Sequence, residues 1–295
     1  MIRIIKNHIK YSETSKFKNM KCIIWIAFLI PFLGISQKVN IDVISESRSS
    51  GNSFFGNRCE ITLNVTGDEV RKHKFAKVTN ITKATDDQGL DLIAEDTKNT
   101  KYADISGTSA SVSLVLLPSS RKAETIKEIS GEVWLFAPTE ANGGIVKVKT
   151  FGKSTNKNLI PGVTGLSLMY VTKESVDKMN AEQKSKKEAE LKKQPKEIQE
   201  LANELMNLVD AFTSMSGTGN EISFYINGEE NKLINLYFEK PDGSKIENNG
   251  WFSSGTLKTY YFNEEIKETY TLVLTVEANA AVKKIPFSLK GVDLP

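Results

Sequence analysis

Between residues 38 and 171 apolar side chains recur at every second position, and that period is met by strands that turn one face to a core. Val39, Ile41 and Val43 alternate with Asn40 and Asp42; Cys59, Ile61, Leu63 and Val65 with Glu60, Thr62 and Asn64; Ala110, Val112, Leu114 and Leu116 with Ser111 and Ser113. Further strands are predicted over 75–84, 128–137 around Trp134, 145–151 and 165–171. Turn-forming residues punctuate them: Asp86-Asp87-Gln88-Gly89, Pro118-Ser119-Ser120 and the Pro138–Gly144 stretch. About seven evenly separated strands with no helical pattern between them predict an antiparallel sandwich.

At Lys173 the period changes. Residues 173–194 mix Lys and Glu in near balance, which suits an exposed helix laced by opposite charges, and Pro195 interrupts it. Ile198, Leu201, Ala202, Leu205, Leu208, Val209 and Phe212 then fall at helical spacing and form an apolar stripe that must be covered. A flanking sheet, the preceding helix or a second chain could cover it. The heptads are too few for a coiled coil, so docking within one chain, and a monomer, are expected. The period of two returns at Ile222, Phe224 and Ile226, with turns at Asn227-Gly228 and Pro241-Asp242-Gly243, and ends over 282–289, where Pro286 predicts an edge or a bulge. The expected fold is mainly β: a sandwich over residues 37–171, a helical linker over 172–216, and a smaller sandwich over 217–295.

The N-terminal 36 residues read differently. Lys21, the apolar run Cys22–Leu33 and Gly34-Ile35-Ser36 follow the charged, apolar and small-residue order of a cleavable secretory signal, which predicts Gln37 as the mature N-terminus. The apolar run is short for a bilayer and contains Pro31, so a permanent anchor is the weaker reading. Residues 1–19 are polar and precede Met20, a plausible start, so they read as a spurious upstream extension. The protein is expected to be exported, to the periplasm or the exterior, with no permanent membrane span.

Cleavage there also changes the charge balance. Six basic groups and one acidic group precede Gln37, so 39 Lys and Arg against 36 Asp and Glu become 33 against 35. With no basic run to displace counterions from phosphates, nucleic acid is not an expected partner. Cys59 is left without a disulfide partner and lies on the apolar face of its strand, as a small buried hydrophobe would. His73 is the only imidazole left and sits in the cationic run Arg71–Lys74, so a Ser-His or Cys-His pair is not expected. A zinc site lacks ligands. Asp86, Asp87 and Asp91 could offer oxygens to calcium, yet Asp-Gly turns arise simply because Asp bonds its own backbone. No catalytic residue, metal site or cofactor is therefore predicted. Any two facing carboxylates could still make a hydrolase, since only their separation in space matters.

The remaining signal is aromatic. Trp251, Tyr225, Tyr237 and Tyr261 are the candidate binding residues: in each adjacent aromatic pair alternation sends one ring inward and one outward, and an outward ring can stack on a sugar or anchor a protein interface. Trp251 lies in Asn248-Asn249-Gly250-Trp251-Phe252, between strands.

Several short stretches support a resemblance. The signal, the strand–turn–strand stretch 79–92, Ile129-Ser130-Gly131-Glu132-Val133-Trp134 and the ending 285–295 resemble exported bacterial proteins of uncharacterised activity that carry immunoglobulin-like β-sandwich domains. The resemblance implies immunoglobulin-like sandwiches and an exported protein, and no known activity comes with it. With the change of period at Lys173, the expectation is two antiparallel immunoglobulin-like sandwiches joined by a charged helical segment, in the bacterial envelope or periplasm. The function expected is non-catalytic binding or structure with a protein or glycan partner. A carbohydrate-binding accessory using the C-terminal aromatics is the alternative, and a hydrolase the second.

Overall fold

The computed structural model of the protein describes residues 37–48, 57–94, 97, 100–155, 157–176, 178, 181 and 220–295. The predicted signal and the Ile198–Phe212 stripe lie outside the described residues, as does most of the charged segment. Of that segment, residues 173–176 are helical.

The described chain is mainly β. Eight strands precede the charged segment: β1 (Lys38–Ser47), β2 (Arg58–Thr66), β3 (Phe75–Asp86), β4 (Ala103–Asp104), β5 (Ser109–Leu116), β6 (Thr125–Phe136), β7 (Ile145–Lys149) and β8 (Leu166–Val171). Six follow it: β9 (Glu221–Gly228), β10 (Leu233–Glu239), β11 (Lys245–Ser254), β12 (Leu257–Phe262), β13 (Thr271–Val276) and β14 (Val282–Asp293). They form three antiparallel sheets, with orders β1-β2-β5, β14-β6-β3-β4 and β7-β13-β10-β11-β12-β9-β8.

The first two sheets enclose one core, and the alternation read from the sequence builds it. Cys59, Ile61, Leu63 and Val65 of β2 and Ala110, Val112, Leu114 and Leu116 of β5 are buried against Ala76, Val78 and Ala84 of β3, Ile129, Val133 and Leu135 of β6, and Ile285 and Phe287 of β14. β14 ends its sheet order, the edge place that Pro286 requires.

The seven-stranded sheet folds over on itself at β11. That strand pairs with β10 through Glu247, Ile246 and Lys245, then with β12 from Asn248 onward, and the register slips between Asn248 and Gly250. Gly250 has φ +149°, a backbone that side-chain-bearing residues avoid, so the extra residue is accommodated where the strand passes from one layer to the other. Both layers feed a second core rich in rings: Phe238 stands 5.3 Å from Phe262 and 4.9 Å from Phe151, and Phe224 stands 6.1 Å from Tyr260.

The expected domain boundaries at 171 and 217 do not follow these sheets. β7 and β8, placed with the first sandwich from the sequence, belong to the seven-stranded sheet, where β7 pairs with β13 and β8 with β9. β14, placed with the second, pairs with β6 along nearly its whole length. The chain leaves the first sandwich after Phe136, builds the folded sheet, and returns. The charged segment does not link two sandwiches either, because Val171 before it and Ser223 after it are paired neighbours in one sheet. Alternation reports which face of a strand is buried but carries no information about which strand lies beside it.

Candidate functional site

The β11–β12 hairpin closes through Gly255-Thr256, with Ser254 opposite Leu257 and Gly255 at φ +60°, the left-handed conformation a two-residue turn needs. On this arm alternation does not hide an aromatic: Trp251 and Phe252, on opposite faces, are each 50% exposed. Trp251 pairs with Tyr260, and Phe252 with Thr259.

Trp251 is held from below. The Lys258 ammonium lies 3.6 Å from the centroid of its ring and 5.7 Å from that of Tyr260, and it donates a short hydrogen bond to the Glu230 carboxylate. Lys258 is buried while Glu230 is half exposed, so a cation is kept beneath the indole by an acid that water still reaches. A cation over an indole face contributes about 0.5–2 kcal/mol and fixes the ring's orientation before any ligand arrives. Tyr260 completes the floor: burial first, and the Glu230 charge second, push its hydroxyl well above the ordinary tyrosine pKa, so it stays neutral.

The other predicted aromatics do not join Trp251. Tyr225 faces Leu257 and Met169, and Tyr261 faces Gly250 and Glu221; both are half-buried on the opposite face of the layer from Trp251. Tyr237, on β10 across the bulged strand, is half-buried beneath Lys245 at 4.7 Å. Sequence reasoning did not single out Phe252 as a binding residue. Both rings are exposed because β11 pairs only with β12 from Asn248 onward and is the edge of its layer there, a placement that no local sequence signal carries.

A second tryptophan–lysine cluster lies on the face of β6 turned away from the first core. Lys77 of β3 is bonded at 2.5 Å to Glu277, the two side chains being 7% and 9% exposed. The Lys77 ammonium lies 4.6 Å from the Tyr102 ring and 5.0 Å from that of Trp134, with Lys284 of β14 4.5 Å from the latter. The Trp134 indole and the Asn80 amide both donate to Glu132 at 2.7 Å. Burial, and then the Glu277 charge, push the Tyr102 hydroxyl far up. Here the buried charges, Lys77 and Glu277, are paired with each other, at the place where the chain returns from β13 toward β14.

The remaining candidates are committed to structure. The Asp86 carboxylate is fully buried and accepts from the backbone amides of Gln88 at 3.0 Å and Leu90 and Ser120 at 2.8 Å. Burial raises its pKa, but the amides outweigh that and hold it below the usual range. Asp87 accepts from the amides of Glu124 and Thr125, and Asp91 from that of Ile93. These oxygens face N–H donors, which would repel calcium, and among the described residues no three acidic, His or Cys side chains are grouped as metal ligands. Cys59 is buried and its thiol is pushed up to about 11, by burial first and then by Glu46. The His73 Nδ1 donates to the Glu69 carbonyl at 2.7 Å.

In comparisons with known proteins, no family model, no curated protein and no solved structure matches this chain.

Proposed function

We propose that this chain is an exported, non-catalytic binding protein of the bacterial envelope or periplasm, working as a monomer and engaging a protein or glycan partner through the β11–β12 hairpin. The observation that carries this reading is the pairing of Trp251 and Phe252, half exposed on the two faces of one arm, with the indole seated on the buried Lys258 ammonium. Large rigid rings held in position lose little freedom on binding and supply much of the contact energy in protein and sugar recognition alike.

The immunoglobulin-like reading of the first sandwich is supported by its strand order. β1, β2 and β5 lie opposite β3, β6 and β14, with β4 beside β3. Counting only the strands of that sandwich, this sets the first, second and fifth against the third, sixth and last, as in Greek-key sandwiches of that kind. Export rests on the predicted signal and is checked by sequencing the N-terminus of the released protein, which should begin at Gln37.

The binding reading is tested by a photo-crosslinking residue in place of Phe252 in cells that export the protein, alongside electrophoresis through gels holding soluble polysaccharides. A discrete adduct lost on Trp251→Ala supports a protein partner. Retardation lost on the same substitution supports a glycan, and neither result together sinks the hairpin as a binding site.

A further inference from the structure

The layer formed by β8, β9 and β12 has two faces, and only one of them faces the aromatic core. On the other, cross-strand pairing aligns Val171, Ser223 and Thr259 in one row and Met169, Tyr225 and Leu257 in the next, with Tyr261 beyond. The Ser223 and Thr259 hydroxyls are bonded to each other at 2.8 Å, so the polar groups in the middle of this face satisfy one another and leave an apolar surface around them. Val171 is 2% and Ser223 7% exposed, although both point away from the core. Something covers this end of the face.

The chain itself supplies a candidate at that position. Residues 182–219 lie outside the described structure, but the residues that bound them do not: the chain departs after Val171 and returns at Glu221, on paired neighbouring strands, and Lys173 and Glu221 form an ion pair at 3.9 Å. Both ends of the segment therefore meet at the Val171–Ser223 end of the face. The stripe Ile198–Phe212 spans about 22 Å at helical rise, at about 1.5 Å per residue, and the eight residues of β9 span about 26 Å as a strand. The sequence thus places an apolar stripe that must be covered on a short path from an apolar face whose nearer end is already buried.

We infer that the segment carrying Ile198, Leu201, Leu205, Leu208 and Phe212 docks on the outer face of β8-β9-β12 in its own chain, over Met169, Val171, Tyr225 and Leu257. Docking there takes Tyr225 out of reach of a partner and leaves Trp251, on the opposite face, open, while Phe252, paired with Thr259 at the far end of the covered row, borders the docked segment.

The test is thiol labelling of the Leu205→Cys variant of the chain beginning at Gln37, with Leu208→Cys as a second position and Glu265→Cys, at an exposed loop residue, as the control; native Cys59 is buried and slow. With the β-sheet circular dichroism unchanged, the L205C and L208C thiols should react at least about tenfold more slowly than the E265C thiol. That protection should be the same at every protein concentration, and Met169→Glu and Leu257→Glu should each reduce it. Labelling as fast as the control overturns the inference. So does protection that disappears on dilution, which would make a second copy the occupant, and so does protection indifferent to both glutamates.

Discussion

Trp134 and Trp251 stand on the same local chemistry and serve different ends. Each indole has a lysine ammonium within 5.0 Å and that lysine is bonded to a glutamate. Around Trp134 the glutamate and lysine are both buried and the indole N–H is already spent on Glu132. Around Trp251 the glutamate is half in water and half of the ring is open. A cation under an aromatic ring is therefore no mark of a binding site by itself. What distinguishes the two is whether the ring still has surface to give.

The largest expected difference between them is in stability. Lys77→Met leaves Glu277 buried and unpaired and should cost about 3–5 kcal/mol in a thermal or urea melt, and adding Glu277→Leu should recover most of it, because breaking a buried pair costs more than replacing it. The same change at Lys258 frees an acid that water already solvates and should cost about 1 kcal/mol or less. Equal losses at the two lysines would break the comparison.

Acid should separate the regions next. Glu132 has its pKa held below the usual range, chiefly by the Trp134 indole and then by Asn80. A carboxylate depressed in the folded state contributes stability that is present above its unfolded pKa and lost as pH falls through the folded value. Trp134 fluorescence, measured in a Trp251→Phe background of the chain beginning at Gln37, which lacks Trp25, should therefore change as the pH drops below the ordinary carboxylate range of about 4. Glu132→Gln should abolish that step. A step that survives the substitution would assign it to another group, such as Asp86.

The smallest effect sharpens the contrast most. Trp251→Ala removes a ring that is half exposed and should shift the melt by about 1 kcal/mol or less, while abolishing whatever the hairpin binds. A core-sized loss of about 3 kcal/mol or more would mean that Trp251, like Trp134, belongs to the framework.

Much of this was legible in the sequence, and the gaps have a physical cause. The strands of β2, β5 and β9 were readable because alternation states directly which side chains are covered. Lys77 was not readable as a buried residue, since in the run 75–84 it alternates as an outward position. Its burial is supplied by Tyr102 and Glu277, both distant in sequence. The placement of β14 was hidden for the same reason, as Ile285 and Phe287 would face a core in either sheet. At the hairpin, alternation correctly put Tyr225, Tyr237 and Tyr261 opposite their buried neighbours. It could not show that Trp251 and Phe252 stand at a sheet edge, because that depends on β11 parting from β10 after Glu247.

The return of β14 also sets an order of events during synthesis. When β6 has emerged, Ile129 and Val133 lack the cover of Ile285 and Phe287, and the edge of β6 that will receive β14 is open from Thr125 to Phe136. That edge stays open while the whole folded sheet is made, and open apolar edges pair with whatever strand arrives first. The first sandwich to begin is thus the last to close, and the folded sheet must either form quickly enough to deliver its successor strand or leave a nascent chain that needs a chaperone at β6.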